Sequence, residues 1–220
     1  WESEYREVHQ KAAVLYRKQA RFKLITTGKI SHKSLLFEDQ HLERLTKASR
    51  YFAYPFDPEV LRQKIEKECQ ACDFHQDYRL RITLSKSGEM EVSRQILEPL
   101  SPIFCKAKLC LQEADLQRPF TYFKTTHRPH LSLGEQEIIY HNVAGELLET
   151  SIGNLVLKIA GKLYTPPTSL GILPGIYRQY LLERGQIKEK IMTLEDLNQA
   201  ETIYGCNAVR GLYELEVNPK

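Results

Sequence analysis

Residues 122–130 read YFKTTHRPH. One lysine, Lys124, follows Phe120, Tyr122 and Phe123 and precedes two threonines, an arginine and two histidines. Most lysines beside aromatic rings lay their methylenes on the apolar surface and keep the ammonium in water. A lysine enclosed by such a wall loses solvation instead. Its pKa falls, and the neutral amine becomes a nucleophile for a carbonyl carbon. The residue types allow both outcomes, so the neighbouring segments have to decide.

Upstream, RFKLITTGKI (21–30) is rich in β-formers and then meets Gly28, which predicts a strand and a turn. EDQHLERLTKASRYF (38–52) sets Leu42, Leu45, Ala48 and Phe52 on one helical face. Asp57 ahead of Pro58 predicts the cap and first turn of a second helix, PEVLRQKIEKECQAC. YRLRITLS (78–85) and MEVSRQIL (90–97) alternate as strands, with Lys86-Ser87-Gly88 as the hairpin loop between them. EPLSP (98–102) breaks the pattern and predicts a linker between two subdomains, after which IFCKAKLCLQ resumes as a strand.

Downstream, EQEIIYHNVAGELLETS predicts a hairpin turning near Asn142–Gly145, and NLVLKIAGKLYTP a second one turning at Ala160-Gly161. Pro174 reads as a first helical turn opening GIYRQYLLERGQ. TLEDLNQAETIYGCN predicts a short helix and a strand ending in Cys206-Asn207, and GLYELEV closes the sheet. The order is α/β first and mostly β with two helices later, an α+β pattern. Residues 1–20 form an amphipathic linker helix in this reading, with Tyr5, Val8, Ala12, Leu15 and Tyr16 at helical spacing. The chain starts at Trp1 rather than Met, as a trimmed start or a piece of a longer polypeptide would. A small α/β subdomain then spans 21–98. An interdomain linker with the first strand of the large subdomain spans 99–118, and a β-rich large subdomain carrying Lys124 spans 119–220.

The 220 residues are 42% hydrophobic and 27% charged with a net charge of +3, the profile of a soluble globular chain. The positive charge is dispersed, without the basic stripe that nucleic-acid binding calls for. No apolar run approaches the roughly 20 residues that cross a bilayer, and no secretory signal opens the chain. Cys69 and Cys72 form a C-x-x-C, but no second pair at zinc-like spacing accompanies them. They read as buried thiols, with no metal site, in a reducing, cytoplasmic setting.

Other pieces are individually bland. GELLETSIGNL (145–155) ends a strand at Glu149 and alone reads as a surface turn. SLGILPGIYRQ (169–179) enters a helix whose free N–H groups can hold a phosphate. Taken in order, HLERL, KTTHR, E-x-x-x-x-N-L, L-x-G-I-x-R and C-N-A resemble the fold-type IV pyridoxal phosphate enzymes over residues 21–220. That family has the two-subdomain, D-amino acid aminotransferase-like fold. It includes branched-chain and D-amino acid aminotransferases and 4-amino-4-deoxychorismate lyases. KTTHR and HLERLTKASRYFAYPFD are most similar to the lyase domain fused behind aminodeoxychorismate synthase component I.

The resemblance implies roles. Lys124 bonds the aldehyde carbon of pyridoxal 5′-phosphate, and its freed amine then moves the α-proton. Glu149 faces the pyridine nitrogen and keeps a proton on it. Arg44 holds the phosphate by its fork of donors, with the backbone N–H groups of Ile176 and Tyr177, and Cys206 and Asn207 complete the cup. Thr26, Thr27, Arg81 and Arg128 stand on the substrate side. A lyase releases p-aminobenzoate and pyruvate; an aminotransferase returns the proton to the cofactor. The resemblance also implies a homodimer, either fused to or associated with the synthase. An aminotransferase on the same scaffold is the rival activity, and a non-catalytic remnant supporting a synthase a further one. HRPHLSLGEQ leaves little room for the helix that aminotransferases place between lysine and glutamate, so that wall is thinner or filled by a partner subunit. His127 replaces the asparagine common in K-x-x-N-R, and His41 reads as structural.

Overall fold

The computed structural model describes residues 21–112 and 118–217, so the helix expected over 1–20 lies outside the described residues. Strand β1 (Leu24–Ser31) turns back into β2 (Ser34–Leu35) through His32 and Lys33, both left-handed (φ 48° and 60°). Two left-handed residues match the twist of a tight hairpin. The turn expected at Gly28 is therefore absent, and β1 runs straight through that position. Its glycine answers to crowding. A Cβ there would sit 2.6 Å from His41 Nε2 and 2.7 Å from Leu35 Cδ1.

Helix α1 (Glu38–Phe52) buries His41, Leu42, Leu45 and Ala48, close to the face read from spacing. The Asp57 carboxylate accepts from the Glu59 and Val60 N–H groups, and Pro58 opens α2 (Pro58–Gln70). Strands β3 (Tyr78–Leu84) and β4 (Met90–Ile96) complete a sheet ordered β2-β1-β3-β4. Side chains alternate across it. Leu24, Ile30, Leu80, Ile82 and Leu84 face α1 and α2 in one core, with Leu45, Leu61 and Ile65. Each such side chain contributes about 1.5–3 kcal/mol by full burial. The opposite face carries Ile25, Thr27, Arg79 and Arg81. Thr27 lies across from Arg81 in the antiparallel register, and all four line the central cavity. Cys69 and Cys72 are free and buried, and burial pushes the Cys69 thiol up to about 11.

The chain crosses to a second sheet through a helical turn, α3 (Pro102–Cys105), capped by Ser101. The strand expected from Ile103 begins only at β5 (Lys106–Leu111). There follow α4 (Arg118–Tyr122), β6 (Ile138–His141), β7 (Leu147–Thr150), β8 (Asn154–Ile159) and β9 (Lys162–Thr165). Then come α5 (Ile176–Glu183), β10 (Lys188–Glu189), α6 (Leu194–Gln199), β11 (Thr202–Asn207) and β12 (Gly211–Val217). The order is β10-β9-β8-β11-β12-β5-β6-β7, and β7 also pairs β8. The six strands from β8 to β7 thereby form a closed ring. The expectation that GLYELEV closes the sheet is corrected. Strand β12 sits inside it, between β11 and parallel β5, and the ring closes where Glu149 meets Asn154. Among the described residues no helix is long and apolar enough to cross a membrane.

Candidate active site

Lys124 follows α4 at a point where the chain joins the free edge of β1. The Ile25 N–H donates to Lys124 O (3.0 Å) and the Thr126 N–H to Lys23 O (2.9 Å). The aromatic run before it is an anchor: Phe120 packs on Phe22 and Phe52, and Phe123 on Tyr51 and Phe52. Lys124 itself is half-buried and lines a cavity of about 560 Å³ between the two sheets. Its pKa falls from 10.5 to about 7, first by burial and then by the charges of Arg44, Arg128, Arg81 and Arg79. At neutral pH a large share of this amine is unprotonated.

Glu149, only 2% exposed, reaches the same cavity from β7. Arg128 Nη2 lies 3.2 and 3.3 Å from its two oxygens. His130 Nε2 stands 4.0 Å away, and the Leu173 N–H donates to the carboxylate. Burial raises the Glu149 pKa, and Arg128 opposes that rise. Arg128, expected on the substrate side, is thus committed to the glutamate. Burial holds His130 low, at about 4, with Arg128 adding to the effect, so this imidazole is neutral.

The far end of the cavity is the start of α5. Its N-cap is Gly175, which has no side-chain capping bond. Pro174, expected inside the first turn, precedes that cap. The N–H groups of Ile176 and Tyr177 are therefore the first two of the helix, where free donors and the helix dipole favour an anion. Asn154 Nδ2 donates to Leu173 O (2.8 Å), and a Cβ on Gly175 would lie 1.9 Å from Asn154 Oδ1. Glycine lets strand β8 grip this loop. Arg44 Nη2 donates to Pro174 O (2.7 Å) and so stands at the helix start. Burial and Arg128 lower its pKa to about 10, leaving it charged at neutral pH. Only the backbone of Tyr177 belongs here; its ring packs on Phe37 and Tyr180.

The Cys206-Asn207 pair borders the cavity, but its side chains are engaged elsewhere. The Cys206 thiol packs with Val156, Leu181 and Ile187, and burial pushes it up to about 12. Asn207 Oδ1 accepts from the Val209 and Arg210 N–H groups at 2.9 Å each, fixing the β11–β12 turn. Thr27 lines the cavity. Thr26 does not: it is fully buried on the other face of β1, with Oγ1 2.6 Å from His41 Nδ1. Burial drives His41 down to about 3, so it is a neutral strut between α1 and β1. Sequence reasoning passed over Arg79 and Arg210, which both line the cavity. Arg79 was within reach, since it stands two residues from Arg81 on the same strand face. Arg210 arrives by the β11–β12 turn and carried no local signal.

The Amino-transferase class IV family model matches residues 23–215. An aminodeoxychorismate lyase of Saccharomyces cerevisiae is 26% identical over 208 aligned residues, covering 70% of this chain and 55% of that protein. An uncharacterized Haemophilus influenzae protein is 40% identical over 68 residues, covering 31% of this chain and 35% of that one. The chain thus matches about half or less of the length of these curated relatives. Among solved structures, a Mesorhizobium loti protein provisionally described as an amino-acid aminotransferase superposes with a TM-score of 0.78 at 28% identity. It covers 90% of this chain and 100% of its own.

Proposed function

The chain belongs to the amino-transferase class IV family, and from that premise we propose that it is a pyridoxal 5′-phosphate-dependent lyase. In this reading it converts 4-amino-4-deoxychorismate to p-aminobenzoate and pyruvate, a step of folate synthesis. The observation that carries it is Lys124, an amine with a pKa of about 7, sharing one cavity with a buried carboxylate and an uncapped helix start.

The residues fit the cofactor. Arg44, Arg79, Arg81, Arg128 and Arg210 line the cavity against Glu149, the one carboxylate among its described lining residues. That excess of positive charge suits a dianionic phosphate. Arg44 and the N–H groups of Ile176 and Tyr177 would hold the phosphate, and the Gly175 backbone leaves them accessible. Glu149, paired with Arg128, would hold the proton on the pyridine nitrogen. When bound, the cofactor supplies an electron sink for bond cleavage at the substrate's α-carbon. Lys124 Nζ would hold the cofactor at its aldehyde end and, when released, would accept the substrate's α-proton.

The lyase similarity of the KTTHR and HLERL segments and the yeast relative support the lyase over an aminotransferase. The reading includes a homodimer in the cytoplasm, fused to or beside the synthase. Leu133 (79% exposed), which lines the cavity, and Ile103 (58% exposed), in α3, offer apolar surface for a second copy. The test offers purified protein both substrate classes. Pyruvate release from aminodeoxychorismate without an amino acceptor supports the lyase, whereas amine transfer that requires an oxo-acid acceptor replaces it with the aminotransferase.

A further inference from the structure

Three arginines in the cavity have no anionic partner among the described residues. Arg79 and Arg81 stand two residues apart on β3 and line the same wall. Lys29, across from Arg79, engages Asp77 at 2.7 Å, so that carboxylate already has a partner. Arg210 enters from the β11–β12 turn. Asn207 fixes its backbone, and its Nη1 donates to Glu98 O. Among the described residues, the lining carboxylate Glu149 pairs with Arg128, and no ion pair involves Arg79, Arg81 or Arg210. Arg79 Nε is buried without a hydrogen-bond partner. Burial and the charge of Arg79 together lower the Arg210 pKa, so the two guanidinium groups feel each other. Gathering unmatched cations costs stability through their repulsion. Such an arrangement is the mark of a site built for a ligand's charge.

We propose that Arg79 and Arg210 form a second anion subsite, separate from the Arg44 phosphate cradle, that binds one carboxylate of a dicarboxylate substrate while Arg81 meets the other. The two arginines come from β3 and the β11–β12 turn, whereas Arg44 comes from α1 and is tied to the start of α5. The Asn207 bonds and the Glu98 tether hold Arg210 ready before any ligand arrives, which lowers the entropic cost of binding. The subsite deepens the proposed function and rests on it for the identity of the substrate. Aminodeoxychorismate carries a ring carboxylate and an ether-linked one. A branched-chain amino acid carries a single carboxylate and would leave the pair unmatched.

The experiment uses the full chain loaded with pyridoxal phosphate. Calorimetry measures binding of 3-(carboxymethoxy)benzoate, which has two carboxylates, and of benzoate and phenoxyacetate, which have one each. Arg79→Gln and Arg210→Gln should each weaken the dicarboxylate about tenfold or more, as loss of a hydrogen bond to a charged group does. Of the two monocarboxylates, the one whose carboxylate seats on the Arg79–Arg210 pair should weaken as well, whereas the other and the visible spectrum of the bound cofactor should stay as in the parent protein. Arg79→Lys and Arg210→Lys, which keep the charge and guard against misfolding of the glutamine variants, should fall in between. Unchanged dicarboxylate affinity in the glutamine variants overturns the subsite, as does loss of the cofactor itself, which would assign these arginines to the phosphate. If the expected losses appear in a protein that proves to be an acceptor-dependent aminotransferase, the subsite stands and the lyase reading falls. Lyase turnover with no dicarboxylate loss in the variants gives the reverse.

Discussion

At the scale of single residues, Lys124 combines an aromatic anchor with four guanidinium neighbours, and its lowered pKa is its most testable property. In the cofactor-free protein, the rate of recombination with pyridoxal phosphate should climb as pH rises through about 7, where the amine loses its proton. A midpoint near the ordinary 10.5 would mean that Lys124 is solvated like any other lysine. The same shift has a sign in stability. Between about 7 and 10.5 the unfolded chain binds the proton that the folded chain has released, so stability should rise with pH across that window. Lys124→Ala should abolish the lysine-linked absorbance and its trapping by borohydride. Arg128→Gln leaves Glu149 buried without its partner and should cost about 3–5 kcal/mol in chemical denaturation. The double variant with Glu149→Gln should recover part of that loss, because no buried charge is then left unpaired. Glu149→Gln alone should retain cofactor but lose most turnover. Adjacent residues also show the limit of reading letters. Thr26 and Thr27 are equivalent in sequence, yet only the side of β1 covered by α1 and α2 decides which of them meets the cavity.

At the scale of elements, two glycines locate contacts rather than turns. Gly28 lies within β1 under His41, and a methyl there overlaps the ring. Gly28→Ala should therefore destabilise the small sheet by about 1–3 kcal/mol, the usual cost of overpacking, seen as a lower denaturation midpoint. Gly175 caps α5 against Asn154. Gly175→Ala must push the helix start away from β8, so cofactor affinity should fall at least about tenfold, a loss near 1.4 kcal/mol. Equilibrium dialysis of the cofactor against the variant measures it, and unchanged affinity would mean that the α5 start does not hold the phosphate. Local chemistry was legible where it acts locally. Asp57 before Pro58 fixes a helix start within one turn of chain, and Ala160-Gly161 fixes a hairpin. Gly28 misled because a glycine in a strand and a glycine in a turn look alike until the neighbour that crowds it is known.

At the scale of the whole molecule, the cavity belongs to neither sheet alone. β1 and β3 supply one wall, and β7, the α5 start and the β11–β12 turn supply the other. A homodimer is expected at micromolar concentration by light scattering. Ile103→Asp, on the exposed apolar surface, should shift it toward monomer, and a parent protein that is monomeric and fully active would remove the dimer from the proposal. The sequence by itself determined α1, α2, α5, α6 and most strands, but not the short α3 and α4, because periodicity and caps act over a few residues and need several turns of chain to show. It also supplied the residue types that fold-type IV chemistry requires, in order along the chain. Tertiary structure decided the rest. Ring closure at Glu149 and Asn154, the allegiance of Arg128 to Glu149 and the convergence of Arg79 with Arg210 all join residues from separate elements. The physical reason is that a charge's pKa and partner depend on what burial brings within a few ångströms, and that distance is set by how the sheets close and pack.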